Sequence, residues 1–240
     1  MTNEGDGYFK TMKFKGWQKV SLIDFPGRIA TVVFTGGCNF RCPYCHNPEL
    51  VIGWEKLPDI DEEEVFQYLE RRKGLIDGIA ITGGEPLLHQ EIIDFIRKAK
   101  SKGYPVKIDT NGAFPEVLAK LINDKLIDFI AMDIKGAKDR YAEVAGVPVD
   151  VGKIDKSIRM IMESGIDYEF RTSVLPMFFD TEEAKKIGEW IKGAKRYVLQ
   201  VVHTVKTLDE SIKEKKIYLP HEVEAFVPIL KQYVESVIVR

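Results

Sequence analysis

From about residue 30 onward, short apolar or β-branched runs alternate with longer segments in which apolar residues recur at helical spacing. The short runs predict strands over Ala30–Thr35, Gly78–Thr82, Val106–Asp109, Phe129–Ile134, Tyr168–Leu175 and Tyr197–Val202. Several are apolar on consecutive positions, the pattern of strands covered on both faces. The longer segments predict helices with readable ends. Asp61–Lys73 opens on acidic residues and stops at Gly74, and Glu91–Lys102 puts Ile92, Ile93, Phe95, Ile96 and Ala99 on one stripe before Gly103. Pro115–Asn123 has proline in its first turn, Val151–Ser164 follows Asp150 as a cap, and Asp180 with Glu183 forms a capping arrangement for a helix to about Lys192. A last helix, His221–Val234, is expected to kink at Pro228 before a terminal strand, Ser236–Val239.

Strands alternating with helices imply parallel pairing through right-handed crossovers, hence an α/β fold. Six such units are too few for an eight-stranded barrel; a partial barrel and an open doubly wound sheet both fit. In either, a site belongs at the carboxyl ends of the strands. Residues 1–15 read as a flexible N-terminal segment ahead of one domain, 16–240.

Composition narrows the partners. The chain has 240 residues, 45% hydrophobic and 30% charged, with a net charge of −2, so it lacks the broad basic field that nucleic-acid binding needs. Lys213–Lys216 reads as a solvated face. No stretch approaches the ~20 apolar residues that span a membrane. Met1–Gly7 is polar and has no apolar signal core, which places the expected location in the cytoplasm, where thiols stay reduced.

All three cysteines lie in Cys38-Asn39-Phe40-Arg41-Cys42-Pro43-Tyr44-Cys45, directly after the first strand and the pair Gly36-Gly37. Cys42-x-x-Cys45 alone has the form of a thioredoxin-like redox motif, and with His46 that of a c-type haem attachment site. Both leave Cys38 without a role. Cys38, Cys42, Cys45 and His46 together could close a Cys₃His zinc site. A disulfide would leave one cysteine over. Three thiolates also suit a [4Fe–4S] cube with one iron left open to a small molecule.

The other chemistry-bearing residues also collect at strand ends. Thr82-Gly83-Gly84-Glu85-Pro86 follows the second strand, Asp109-Thr110-Asn111-Gly112 ends the third, Asp133-Ile134-Lys135 the fourth and His203 the sixth; Arg171 lies within the fifth. Each alone can be read as turn chemistry. Together they form an inventory: paired glycines let backbone lie against a ligand, and Glu85 can accept from an ammonium group. Asp109 and Asp133 can hold a ribose, a cationic group or a small cation, while Lys135 can neutralise a carboxylate. S-adenosylmethionine has an amino acid end, a ribose and a base, and its amino and carboxylate groups can chelate an open iron.

Cys-x₃-Cys-x₂-Cys after a first strand, with Tyr44 before the last cysteine and Gly-Gly-Glu-Pro after the second strand, resembles the radical S-adenosylmethionine superfamily from about Gly16 to about Gln200. The resemblance implies a partial (β/α)₆ barrel with Cys38, Cys42 and Cys45 as cluster ligands and Gly83, Gly84 and Glu85 at the methionyl amino group. Ser21-Leu-Ile-Asp-Phe-Pro-Gly27, Cys45-His-Asn-Pro48, Asp109-Thr-Asn-Gly112 and Asp133-Ile-Lys135 resemble the glycyl-radical-enzyme activating proteins. The longer form of anaerobic ribonucleoside-triphosphate reductase activating protein is most alike, with the pyruvate formate-lyase activating enzymes as relatives.

That likeness implies that Asp133, Lys135 and His203 contact S-adenosylmethionine; Tyr44, Asp109 and Asn111 are expected to bind the cofactor beside them. The segment around His203 departs from the pyruvate formate-lyase pattern. The likeness further implies reductive cleavage of S-adenosylmethionine and removal of a hydrogen from a glycine of a partner enzyme, with electrons from flavodoxin or ferredoxin. With no cysteine to spare, a second cluster is not expected. Gly136–Asp150, containing Tyr141 and Gly146, is a candidate partner contact, and a plain connecting loop is the alternative.

Overall fold

The computed structural model describes residues 11–240. The strands are β1 (Lys13–Phe14), β2 (Gly16–Ser21), β3 (Ala30–Thr35), β4 (Ile60–Asp61), β5 (Gly78–Gly83), β6 (Val106–Thr110), β7 (Phe129–Asp133), β8 (Asp167–Val174), β9 (Tyr197–Val201) and β10 (Val237–Val239). The helices are α1 (Pro48–Val51), α2 (Glu62–Arg71), α3 (Ile92–Ser101), α4 (Pro115–Asn123), α5 (Tyr141–Ala145), α6 (Val151–Glu163), α7 (Thr181–Trp190), α8 (Pro220–Glu224) and α9 (Val227–Leu230).

Eight strands form one sheet in the order β10-β9-β8-β7-β6-β5-β3-β2. Only β2 is antiparallel, paired to β3; every other pairing in that sheet is parallel. The parallel strands follow one another in sequence order with no reversal, so there is no topological switch point and the open doubly wound alternative is excluded. Right-handed crossovers running in one direction place the helices on one side. The other face curls inward: Phe34, Thr82, Asp109, Asp133, Arg171, Ser173 and Gln200, from six consecutive parallel strands, border one cavity. This is a partial barrel.

The helical stripes bury as their spacing requires. Ile92, Ile93, Phe95, Ile96 and Ala99 of α3 are all buried. Asp150 caps α6 by accepting from the Gly152 N–H at 3.0 Å, and Asp180 caps α7 by accepting from the Glu183 N–H at 2.9 Å. At the amino-terminal end of the barrel, Phe25 packs with Ala30, Phe129 and Ala131 and closes the floor. Phe25 belongs to Ser21–Gly27, a turn in which the Ser21 hydroxyl accepts from the Ile23 and Asp24 N–H groups at 3.2 Å. Those motif residues therefore have a structural task of their own.

Three expectations are corrected. Of the segment read as flexible, residues 1–10 lie outside the described residues, but Met12 and Phe14 are buried and β1 pairs with β4, so packing begins before Gly16. The helix expected over His221–Val234 is two short helices, α8 and α9, because Pro220 and Pro228 each occupy a first turn and cannot continue a helix from upstream. Gly136–Asp150 is not a plain loop: it contains α5, whose Tyr141, Val144 and Ala145 are fully buried, so Tyr141 is not a surface contact. Among the described residues, no helix is long and apolar enough to cross a membrane.

Candidate active site

A cavity of about 320 Å³ opens at the carboxyl ends of the parallel strands. Cys38, Cys42, Tyr44 and Cys45 line it from the loop after β3, Gly83, Gly84 and Glu85 from the end of β5, and Asp109 and Asn111 from β6. Asp133 and Lys135 come from the end of β7. Eleven of the twelve residues singled out in the sequence therefore share one wall. His203 does not: it is exposed and beyond the lining residues. The chain after β9 turns outward there, and Asp209 N–H donates to the Pro43 carbonyl at 2.9 Å while Lys206 pairs with Glu49 at 2.6 Å. His203 instead lies near His46, whose imidazole is pushed down by burial and by that neighbouring ring.

The three thiols are free, with Cys42 buried and Cys38 and Cys45 partly so. Burial pushes Cys38 up to about 12 and Cys42 to about 11, so without a metal they are neutral thiols and ligation must release their protons. Among the described residues, no three His, Cys, Asp or Glu side chains converge on a point as a single ion demands. A cube takes its three sulfurs on three separate irons, so its ligands stand further apart. Tyr44 also fits a bound group: its hydroxyl is buried and finds no partner among the described residues. Three thiols facing one cavity beside a lysine and an unpartnered phenol suit a cluster and a polar ligand.

Gly84 allows a close backbone approach. A methyl group there would overlap the Gly37 carbonyl, and its absence lets Gly84 N–H donate to Thr35 O at 2.9 Å and Glu85 N–H to Gly37 O at 2.8 Å. The glycine pair thus seats the end of β5 against the start of the cysteine loop.

Glu85, read from the sequence as an acceptor for an ammonium group, is engaged by protein. Its Oε1 accepts from the Leu87 N–H at 3.0 Å and the Thr110 hydroxyl at 2.8 Å, and its Oε2 accepts from the Asn111 N–H at 2.7 Å. The carboxylate clamps the ends of β5 and β6 together. Burial pushes it up from 4.5 to about 7 despite these donors. The folded chain therefore keeps a proton that the unfolded chain releases, so this stabilising contribution is full below about pH 4.5 and lost as pH rises to about 7. Glu85→Gln turns an NH₂ toward one of three donors and is expected to lose about 1–3 kcal/mol below about pH 4.5, where the wild-type contribution is full, the gap narrowing toward pH 8 because the variant has a flatter pH dependence over that window. Thermal melts across pH 4 to 8 check this; an unchanged melting temperature and slope would refute the clamp.

Charge in the cavity is organised by Arg171, which was noted in the fifth strand but given no task. Its Nε donates to Asp133 Oδ1 at 2.8 Å and its Nη1 to Asp109 Oδ2 at 3.1 Å. Lys135 pairs with Asp133 at 2.9 Å, and buried Lys107 pairs with Asp109. Burial would raise the Asp133 carboxyl, but Arg171 and Lys135 hold it far below the usual carboxylate range. Asp109 is lowered against burial in the same way by Arg171 and Lys107. Neither aspartate is left for a bare cation. The signal for Arg171 was present: Glu169, Arg171 and Ser173 are polar at alternate positions of an otherwise largely apolar strand, which turns all three to one face.

The radical SAM superfamily model matches residues 32–192, spanning β3 through α7 and hence nearly every cavity residue. The chain belongs to the radical SAM superfamily. A protein of Methanocaldococcus jannaschii named as a glycyl-radical enzyme activating enzyme is 35% identical over 226 residues, 92% of each chain. The pyruvate formate-lyase-activating enzyme of Clostridium pasteurianum is 32% identical over 191 residues, 73% of this chain and 74% of that one. In fold, the structure of Streptococcus suis SuiB bound to precursor peptide SuiA matches with a TM-score of 0.65 at 14% identity, covering 87% of this chain and 48% of that one. As a radical SAM enzyme, the chain works with a [4Fe–4S] cluster on three cysteines and with S-adenosylmethionine. The chain has three cysteines, the number that the family's cluster takes, which favours that cluster over the zinc, haem and thioredoxin readings.

Proposed function

We propose that this radical SAM enzyme installs a glycyl radical on a partner enzyme. The observation that carries the reading is the gathering of the three-cysteine loop, the β5 glycine turn and the Asp109–Arg171–Asp133–Lys135 network on one cavity. The likeness over 92% of its length to a protein named for glycyl-radical enzyme activation supports it. When bound and reduced, the cluster and S-adenosylmethionine supply a 5′-deoxyadenosyl radical able to take hydrogen from a glycine.

The chain's own residues bind and orient. Cys38, Cys42 and Cys45 hold the cluster. Lys135, kept charged by Asp133 against its burial, would neutralise the cofactor carboxylate. Asp109 and Asp133, fixed by Arg171, would accept from the ribose hydroxyls on the lone pairs their ion pairs leave free, and Asn111 stands at the cluster loop, donating to Asn39 Oδ1 at 2.8 Å. Tyr44 supplies a buried wall and a hydroxyl that is unpartnered among the described residues. With no cysteine beyond the three ligands, the chain has none for a second cluster, and an external donor of flavodoxin or ferredoxin type delivers the electron.

Two partners follow from different observations. The combined likeness of Ser21–Gly27, Cys45–Pro48, Asp109–Gly112 and Asp133–Lys135 to the longer reductase activating proteins favours anaerobic ribonucleoside-triphosphate reductase, while the similarity to the Clostridium pasteurianum enzyme favours pyruvate formate-lyase. Anaerobic incubation of the reconstituted enzyme with reductant, S-adenosylmethionine and each partner, read by electron paramagnetic resonance, separates them. A glycyl radical on one partner identifies it. Silence on both, with turnover of a free metabolite, would overturn the activase reading.

Lys135→Ala is expected to raise the S-adenosylmethionine dissociation constant at least about tenfold while iron and sulfide content stay at the wild-type level. Equilibrium binding and metal analysis on the same samples check it. Collapse of the iron content instead would assign Lys135 a structural task.

A further inference from the structure

The cysteine loop is gripped from outside the barrel by the segment that follows Lys135. Arg41 N–H, one residue before Cys42, donates to the Ala145 carbonyl at 2.8 Å. Phe40 packs edge-on against Tyr141, ring centroids 6.3 Å apart. Gly146 ends α5 in the left-handed conformation at φ 70°, and a Cβ there would overlap the Arg41 carbonyl. The far side of the grip is anchored twice. The Tyr141 hydroxyl donates to the Asp133 carbonyl at 3.4 Å, and buried Glu183 of α7 accepts from the Ala137 N–H. A chain of contacts thus runs from α7 and the end of β7 through α5 to the peptide that carries Cys42.

We propose that Gly146 is a positioning residue for the iron–sulfur cluster, its bare Cα letting α5 clamp the Arg41–Cys42 peptide so that the Cys42 thiolate is pre-placed. The proposal rests on the cysteines holding the cluster and is independent of which partner supplies the glycine. A loop with three ligands in eight residues has many conformations, and only a few present all three sulfurs to one cube. Fixing the peptide beside Cys42 from a rigid element removes much of that freedom before the metal arrives. Atoms behind the ligands commonly tune metal affinity about 10–100-fold.

Gly165 provides an internal control. It too is left-handed, at φ 73°, but a Cβ there would meet nothing within 4 Å. Gly165→Ala therefore imposes the backbone strain of a left-handed alanine without a collision. Gly146→Ala imposes both, and Gly146→Asn keeps the collision with less strain, since asparagine tolerates this conformation.

The test uses the full chain with these three substitutions. Iron release from the reconstituted protein to a chelator is timed, the reduced cluster's resonance is recorded before and after S-adenosylmethionine, and cofactor-free protein is melted by circular dichroism. Gly146→Ala and Gly146→Asn are expected to release iron about 10–100-fold faster than wild type. Gly165→Ala is expected to release it at the wild-type rate while its cofactor-free melting temperature falls by about 2–4 °C. Wild-type iron retention in either Gly146 variant would overturn the proposal, as would equal acceleration by Gly165→Ala. If Gly146→Ala fails to fold, Gly146→Asn decides; failure of both to fold would make position 146 a residue of the fold and refute a task specific to the cluster.

Discussion

Replacing any one of Cys38, Cys42 or Cys45 by alanine is expected to reduce cleavage of S-adenosylmethionine to background. The chain has three cysteines and the family cluster takes three, so no thiol stands in reserve. His46 borders the cavity, but its imidazole is a different donor one residue further along the chain. The cofactor-free variants should fold, because a cysteine without metal behaves as a small apolar side chain and alanine nearly replaces it. Anaerobic reconstitution followed by quantification of 5′-deoxyadenosine and of iron checks the expectation. Full cleavage by any of the three variants would refute the ligand assignment.

Arg171→Met is expected to have the largest effect on the fold itself. The substitution keeps the apolar stem and removes the only guanidinium placed between Asp109 and Asp133 among the described residues. Two largely buried carboxylates at the ends of the neighbouring strands β6 and β7 are then left with Lys107 and Lys135 as their remaining partners. Breaking a buried charge arrangement in this way costs about 3–5 kcal/mol, or a fall of roughly 10 °C in melting temperature for a chain of this size.

The pH dependence has a definite sign. In the wild type both aspartates titrate below their ordinary 3.8, so the stability they confer is present above about pH 4 and fades as pH drops further. The gap between wild type and variant should accordingly be widest at neutral pH and close in acid. Affinity for S-adenosylmethionine should fall with it, since the aspartates lose their fixed orientation. Thermal melts from pH 3 to pH 8 measure the first and equilibrium binding the second. A wild-type melting temperature at neutral pH would show that the network does not organise the cavity.

The parts of this molecule legible in the sequence were those governed by local rules. Consecutive apolar residues marked the parallel strands to within a residue or two, and stop signals at Gly74, Gly103 and Gly165 marked helix ends. The cysteine spacing and the strand-end motifs placed eleven side chains that the fold brings to one wall. What stayed hidden depends on long-range pairing. The β2 strand, Gly-Trp-Gln-Lys-Val-Ser, shows weak apolar alternation and is held by pairing with β3, with Trp17 Nε1–H donating to Thr31 Oγ1 at 2.7 Å.

The placement of His203 could not be foreseen either, because the path after β9 is set by contacts with Pro43 and Glu49, more than a hundred residues away. Glu85 was legible as a cavity residue, but its protein donors were not. Its spacing from the glycines is local, whereas the Thr110 and Asn111 donors that engage it come from the neighbouring strand. Gly146 drew notice only as part of a long connection. Its constraint is the carbonyl of Arg41, which no local pattern encodes.

The activase reading is tested most directly by following one hydrogen. Partner protein carrying α-deuterated glycine is incubated anaerobically with the reduced enzyme and S-adenosylmethionine, and the 5′-deoxyadenosine is examined by mass spectrometry. Deuterium in the product, in step with a glycyl radical on the partner, is the expected result. Product free of deuterium from a partner that stays radical-free, for the reductase and the formate-lyase alike, would contradict it.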